Sequence, residues 1–381
     1  MNSVTINPYM FQWACERSGI DPDVLHGRFP RLELWAKGAA NPTLKQLENF
    51  AKATHTPIGY LFLPEPPVEQ VPIPDFRTVD ASRMHRPSPD LLDTIYICQQ
   101  RQEWYRDFAR SSGNEPLSFV GSADVNSDII ETAEEIRHTF GFDLEERRQL
   151  TTWSDALRRF IELADIRGVL VMVSGIVGSN THRKLDPQEF RGFALADNLA
   201  PLIFINGSDT KAAQMFTLAH ELAHIWLGQS GVSDTAAVQI PEHVVEQWCN
   251  QVAAELLVPL AVMRKEYQWD NDLHFEMQRL ARRFKVSTLV ILRRICDVGG
   301  ISQQRMWQAY REELERLRHL TAVGSGGNFY LTQAVRVSKR FARALVVSTL
   351  EGQTLHRDAF RLLGFSKLAT FHELGQRLGV A

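Results

Sequence analysis

The feature that most constrains this chain is the pentapeptide His220-Glu221-Leu222-Ala223-His224, set inside TLAHELAHIWLG. Residues i and i+4 share one face of an α-helix, so both imidazoles can offer a nitrogen to one Zn²⁺ from the same side. Glu221 follows the first histidine, where a carboxylate can act as general base toward an activated water. The flanks predict a helix. Ser208 and Asp209 are N-cap candidates, Gly228 and Gly231 are stop signals, and Leu218, Leu222, Ile225 and Trp226 form an apolar stripe for burial. A catalytic zinc site needs a third protein ligand and an open position.

The third ligand is sought in EQWCNQVAAELLVP, residues 246–259. The apolar spacing predicts a second long helix from about Pro241 to Leu257, with Val244, Val245, Trp248, Val252, Ala253, Leu256 and Leu257 on its buried side and Pro259 ending it. Antiparallel packing of the two helices would bring Glu246 opposite the histidines, the logic of a His₂Glu hydrolase. Glu242, His243 and Glu255 compete on the same segment. The first two fall in the opening turn, where polar groups serve as caps. Glu255 reads either as an exposed acid or as a partner that orients a ligand histidine. Cys249, three positions after Glu246, reads as a small buried hydrophobe.

The block FTLAHELAHIWLG, followed by E-x₂-C-N-x₂-A-A-E-L-L-V-P, resembles the ImmA/IrrE-type metallopeptidases of bacteria and phages, which are often fused to an XRE-type helix-turn-helix. FALADNLAPLIFINGSDTKAAQMFTLAHE is similar to that family's strands before the active-site helix. The resemblance spans residues 1–70 and 125–300 in outline. It implies Zn²⁺ held by His220, His224 and Glu246, with Glu221 as the base. It also implies a regulatory endopeptidase that cuts a partner protein, an XRE-type repressor or an antitoxin. Mn²⁺ or Fe²⁺ suits the same donors. His243 and Tyr267 are candidates, by chain proximity, for the donor that stabilises the oxyanion in the transition state. In such folds an edge strand beside the active-site helix pairs with an extended peptide, and the candidate edge lies within Phe190 to Asp197. Asn206 reads as a turn or capping residue before the helix.

The expected architecture is multidomain and mainly α, with an α+β zincin-like metallopeptidase core, an N-terminal five-helix XRE-like domain and a C-terminal helical module. The boundaries fall at punctuation. Residues 1–66 form the XRE-like domain, 67–122 a proline-rich linker (LPEPPVEQVPIP) and a packing helix (PDLLDTIYICQQRQEWYRDFARS), 123–322 the peptidase domain, and 327–381 the C-terminal module beyond VGSGGN. A chain of 381 residues with 44% hydrophobic content can support two or three cores. It has no run of 18 apolar residues, no basic and apolar leader at its start, and no C-x-x-C pair among Cys15, Cys98, Cys249 and Cys296. A cytoplasmic protein with reduced thiols and no membrane partner is expected.

In the first domain Phe11, Trp13, Ala14, Val24, Leu25, Leu32, Leu34 and Trp35 give apolar positions, and Leu44, Leu47, Phe50 and Ala51 face the core from an amphipathic helix. WAKGAANPTLKQLENFAKATHTPIGYLFLP resembles an XRE-type domain, but GIDPDVLHGRFPRLELW stands where a polar recognition helix is usual, and Pro30 interrupts it. Residues 1–62 carry six basic and five acidic side chains, far from the basic face a DNA reader presents. Residues 279–343 differ, with fourteen basic against four acidic side chains in a chain of net charge −3. There LARRFKVSTLVILRRI resembles a second helix-turn-helix, and Arg336, Lys339, Arg340 and Arg343 would share one helical face, a candidate surface for nucleic acid or an acidic partner. The C-terminal module reads as three helices, and its Phe371-His372-Glu373-Leu374 lacks the second histidine of a metal motif. Two other function classes follow from these features. One is a DNA-binding transcriptional regulator with duplex DNA as partner. The other is a toxin–antitoxin or phage-defence component acting by binding a cognate partner. A homodimer is compatible with each.

Overall fold

The computed structural model describes residues 3–77, 86–233, 243–320 and 335–380. Two compact units emerge, one of Met1–Pro72 with Val79–Ile95, the other of Ile73–Thr78 with Tyr96–Ala381.

In the first unit, residues 3–72 fold as α1 (Pro8–Ser18), α2 (Pro22–Arg28), α3 (Leu32–Ala36), α4 (Leu44–Ala53) and a 3₁₀ turn over Ile58–Phe62. The five α-helices expected here are therefore four and a 3₁₀ turn. Pro57 opens that last segment and Pro64 follows it closely, leaving too little chain for α-helical hydrogen bonding. Thr43 and Gln46 cap α4 reciprocally, satisfying two otherwise orphaned N–H groups. The core gathers Phe11, Trp35 and Phe50, whose rings lie 5.4–6.4 Å apart, with Leu25, Leu32 and Leu47. Val24, Leu34 and Leu44, expected inside, are exposed. α2 and α3 are short and bury only a stripe, and Leu44 is the first residue of α4. Buried Arg17 pairs with Glu69 at 2.7 Å and ties the proline-rich linker to α1.

The long packing helix is α5 (Pro89–Ser111). The second unit continues with α6 (Ile129–Phe140), α7 (Leu144–Gln149) and α8 (Trp153–Ile166). Next come β1 (Leu170–Ser174), β2 (Gly192–Leu195), β3 (Leu202–Asn206), α9 (Lys211–Leu227), β4 (Gly231–Ser233) and α10 (Val244–Leu257). The sheet order is β1-β3-β2-β4, with β1 parallel to β3 and the other pairs antiparallel. Every residue of these four strands is buried. This places β2 inside the sheet and corrects the expectation of a free edge within Phe190–Asp197. The strand beyond β2 on that side is β4. Asn206 does serve the turn before α9: its amide donates to Phe190 O at 3.1 Å and its Oδ1 accepts from Ser208 N at 3.0 Å.

One core runs through this unit, from Phe142 stacked on Phe160 at 3.9 Å, through Phe119 stacked on Trp226 at 4.7 Å, to Trp248 and Ile291. α9 and α10 pack on each other, and α6 packs on α10. The end of α10 is held by arginines. Arg137 donates to Glu255 O at 2.9 Å and Leu256 O at 3.3 Å, Arg147 donates to Leu257 O, and Arg294 donates to Val258 O at 2.8 Å. These are the carbonyls that a helix leaves without intrahelical partners, and cations suit the negative end of its dipole. Arg294 also pairs with Glu255, both buried. Glu255 further accepts from Leu260 N, at the start of α11 (Leu260–Glu266). Glu255 is therefore neither an exposed acid nor a histidine-orienting group. Removing one member of a buried pair strands the other charge. Arg294→Ala should cost about 3–5 kcal/mol in urea unfolding, and a Glu255→Gln/Arg294→Met double variant should recover much of that loss.

α12 (Leu273–Phe284), α13 (Thr288–Asp297) and α14 (Gln303–Leu320) complete the basic stretch before α15 (Lys339–Leu350), α16 (His356–Leu363) and α17 (Leu368–Arg377). The continuous helix expected over Arg336–Arg343 is broken at Ser338, whose φ is +65° and whose hydroxyl caps α15. Arg336 therefore precedes α15 instead of sharing its face. Lys339 pairs with Glu162 at 2.8 Å, Arg340 donates to Tyr105 Oη at 2.6 Å and Asp165 O at 3.1 Å, and Arg343 donates to Leu378 O at 3.2 Å. Lys339, Arg340 and Arg343 thus have partners among the described residues.

Asp165 anchors this junction by accepting from Ser338 Oγ at 2.8 Å and Lys339 N at 3.2 Å. Burial pushes its carboxyl up to about 6, against the pull of these donors. A carboxyl raised on folding takes up a proton between its unfolded and folded values. Its contribution is therefore greatest below pH 4 and is lost as pH rises through about 6. The stability difference between the wild type and Asp165→Asn should shift against the wild type over that window, by up to about 3 kcal/mol, in urea melts at pH 4 and pH 7.

Candidate active site

α9 begins at Thr210, whose hydroxyl accepts from Ala213 N, and ends at Gly228 with φ +65°. The expected caps Ser208 and Asp209 lie just outside it, in the turn before the cap. Every residue from Gln214 to Leu227 is buried, so α9 is enclosed on all sides rather than amphipathic. His220, Glu221 and His224 are consequently 0% exposed, an environment in which unpaired charge is costly.

α10 starts later than expected, at Val244 with His243 as its N-cap residue. Val244 itself is exposed, and Pro241 and Glu242 lie outside the described residues. Glu246 falls in the first turn of α10 and is 2% exposed. Its Oε1 lies 2.9 Å from His224 Nε2 and its Oε2 lies 3.2 Å from His220 Nε2, while the two Nε2 atoms are 3.1 Å apart. Three donors at zinc–nitrogen and zinc–oxygen distances in a tetrahedral array would be separated by about 3.3 Å, so this convergence suits one small divalent cation. Asn250, one turn beyond Glu246, lies with Oδ1 3.0 Å from His220 Nδ1. Accepting the Nδ1 proton leaves the Nε2 lone pair directed at the cluster. Asn250 stands in the E-x₂-C-N motif, where helical spacing alone assigns it no role.

Burial raises the Glu246 carboxyl, but the charges and hydrogen bonds of His220 and His224 outweigh it and hold the group far below the usual carboxylate range. Burial likewise lowers the His224 imidazole, opposed by its hydrogen bond to Glu246. An ionised carboxylate and a neutral imidazole are the forms that bind metal. Glu221 differs. Burial, reinforced by the charge of Glu246, raises it well above its ordinary value, with the Ser233 hydroxyl pulling the other way. Among the described residues the Ser233 hydroxyl is near enough to act on it, but neither buried carboxylate oxygen is held in a well-formed hydrogen bond. A buried acid of raised proton affinity beside such a cluster is a candidate for exchanging protons with a group placed there.

Cys249 is buried, with its sulfur within 4.8 Å of the nearest ligand atoms of His220 and His224. Burial, followed by the charges of Glu246 and Glu221, pushes its thiol well above the ordinary value, while its distance from the two imidazoles leaves it within reach of an ion they would share. His243 approaches the cluster, with its ring 4.8 Å from Phe76, and Phe76 in turn stacks on His224 at 5.6 Å. Tyr267 follows α11 and packs on Trp269 at 5.0 Å and against Gly300, among the later helices.

Residues 164–295 match the family model of peptidase M78, described as the IrrE N-terminal-like domain. The match supports a metallopeptidase-type function. The M78-like segment contains both helices of the site. Residues 337–377 match a domain of unknown function (DUF8813), and no curated protein matches the chain. Among the described residues no helix is long and apolar enough to cross a membrane.

Gly192 of β2 shows how tightly the site is built. A Cβ there would come within 2.6 Å of Thr217 Cγ2, 2.9 Å of Phe204 O and 3.0 Å of Glu221 Oε1. Gly192→Ala should cost about 1–3 kcal/mol in urea unfolding through overpacking against the Glu221 face of α9. Asn250→Ala should leave unfolding cooperative while weakening metal affinity by about 10- to 100-fold in a chelator competition titration.

Proposed function

We propose that the chain is a zinc-dependent endopeptidase that cuts a partner regulatory protein. The observation that carries this reading is the convergence of His220 Nε2, His224 Nε2 and the Glu246 carboxylate beside the buried Glu221, within a segment that matches a peptidase family. A divalent ion held by those three side chains would supply Lewis acidity toward water and the scissile carbonyl.

The rest is done by the chain's own groups. Glu221, buried beside the three donors and acting as the carboxylate, takes one proton from the attacking water as the water oxygen bonds to the peptide carbonyl carbon. It then returns that proton to the departing amide nitrogen as the C–N bond breaks. The raised proton affinity of Glu221 suits both halves of this exchange. Asn250 keeps His220 in the tautomer that binds metal. His243, close to His224 through Phe76, is the better placed of the two candidate oxyanion donors, whereas Tyr267 packs among the later helices. The resemblance to ImmA/IrrE-type proteins and the XRE-like pattern of the first domain favour a repressor or antitoxin as substrate.

Metal analysis of the purified chain tests the reading. About one zinc per chain is expected, with loss or strong weakening in His220→Ala and Glu246→Ala. Glu221→Gln should retain the metal and lower the rate of protein hydrolysis by about 10²- to 10⁴-fold. A chain that refuses zinc on titration would leave partner binding, without hydrolysis, as its activity.

A further inference from the structure

β4 is the last strand of the sheet, but its outer edge is not free. Val232 N donates to Pro74 O at 2.9 Å and Phe76 N donates to Val232 O at 3.0 Å, so Asp75 pairs with Val232 in a parallel bridge. The chain's own proline-rich linker thus supplies a short additional strand. The partly buried Phe76 ring lies flat on this edge. A Cβ at Gly231 would come within 2.3 Å of it, and the ring stacks on His224 at an interplanar angle of 13°. On the same strand, Ser233 Oγ is 3.5 Å from His224 Nε2. The edge that runs past the ligand cluster is therefore occupied by an extended peptide with an aromatic side chain against a proposed metal ligand.

We infer that Pro74–Phe76 is a built-in occupant of the substrate edge. The substrate is then an extended peptide that pairs with Val232 and places a large apolar side chain where Phe76 now lies. This rests on the peptidase reading above and adds to it the recognition surface and the means by which the chain restrains itself.

Two features support displacement over permanent structure. Among the described residues the pairing consists of two backbone hydrogen bonds, with an ion pair of Arg77 and Glu189 at 3.6 Å beside it, and Pro74 and Asp75 are exposed. Backbone pairing at a sheet edge is a general mode of peptide capture, with alternate side chains giving specificity. Tethering supplies the occupant at an effective concentration of about millimolar, enough to exclude a free peptide of similar intrinsic affinity at micromolar levels.

The test uses the full chain and a fluorescent peptide of residues 71–77, VPIPDFR, followed by anisotropy. Phe76→Ala should bind it at least about tenfold more tightly than the wild type, because the internal competitor has lost its anchor. Pro74→Gly, which changes an exposed residue and loosens the segment, should act in the same direction more weakly and serves if the first variant unfolds. Equal binding by wild type and variants, or no binding by any of them up to 1 mM, overturns the inference. Zinc content and casein hydrolysis are measured in parallel. A hydrolysis rate at least about fivefold higher in Phe76→Ala agrees with restraint by the segment. Tighter peptide binding without zinc or hydrolysis would instead sink the peptidase reading while leaving the occupied edge in place.

Discussion

The structure depends on one constraint: four ionisable side chains, His220, Glu221, His224 and Glu246, are enclosed together in a hydrophobic core. Isolated, each would be costly to bury. Clustered, Glu246 is stabilised as an anion by two imidazoles, and its charge in turn discourages ionisation of Glu221 and Cys249. Burial and mutual proximity thus pull the carboxyls in opposite directions, Glu246 toward the anion and Glu221 toward higher proton affinity, the kind of separation that acid–base chemistry uses.

That cluster exists only because α10 is held in place against α9. The arginines at the C-terminal end of α10 satisfy its last carbonyls, and the Glu255–Arg294 pair links the same end to α13. β2 closes the other side, approaching α9 so nearly that position 192 has no room for a side chain. The later helices are therefore part of the support for the site, although none of their residues enters it.

The basic stretch near the C-terminus has a related character. Its excess of positive charge is partly consumed inside the chain, by Glu162, Glu255 and backbone carbonyls such as those of Asp165 and Leu378. A run of cations in sequence is a surface for a partner only where folding leaves the heads unpaired, and Lys339, Arg340 and Arg343 are engaged.

Much of the site was legible because helical periodicity is local. The i, i+4 histidines, the intervening acid and the helix stop at Gly228 needed no knowledge of the rest of the chain, and neither did the long helix Pro89–Ser111. Glu246 stood among competitors until α10 was placed. Its separation from His224 in the chain leaves open which face of the second helix turns inward, and only packing against α9 settles that. The contact of Ser338 with Asp165, the role of Glu255 and the order of the strands were beyond local reading for the same reason, since each is decided by contacts distant in sequence. By itself the sequence determined a metal-type helix, its acid and its apolar setting. Tertiary structure alone decided which carboxylate completes the cluster, which strand borders it and which segment lies across that border, because burial and edge pairing are properties of assembled surfaces and not of any one stretch of chain.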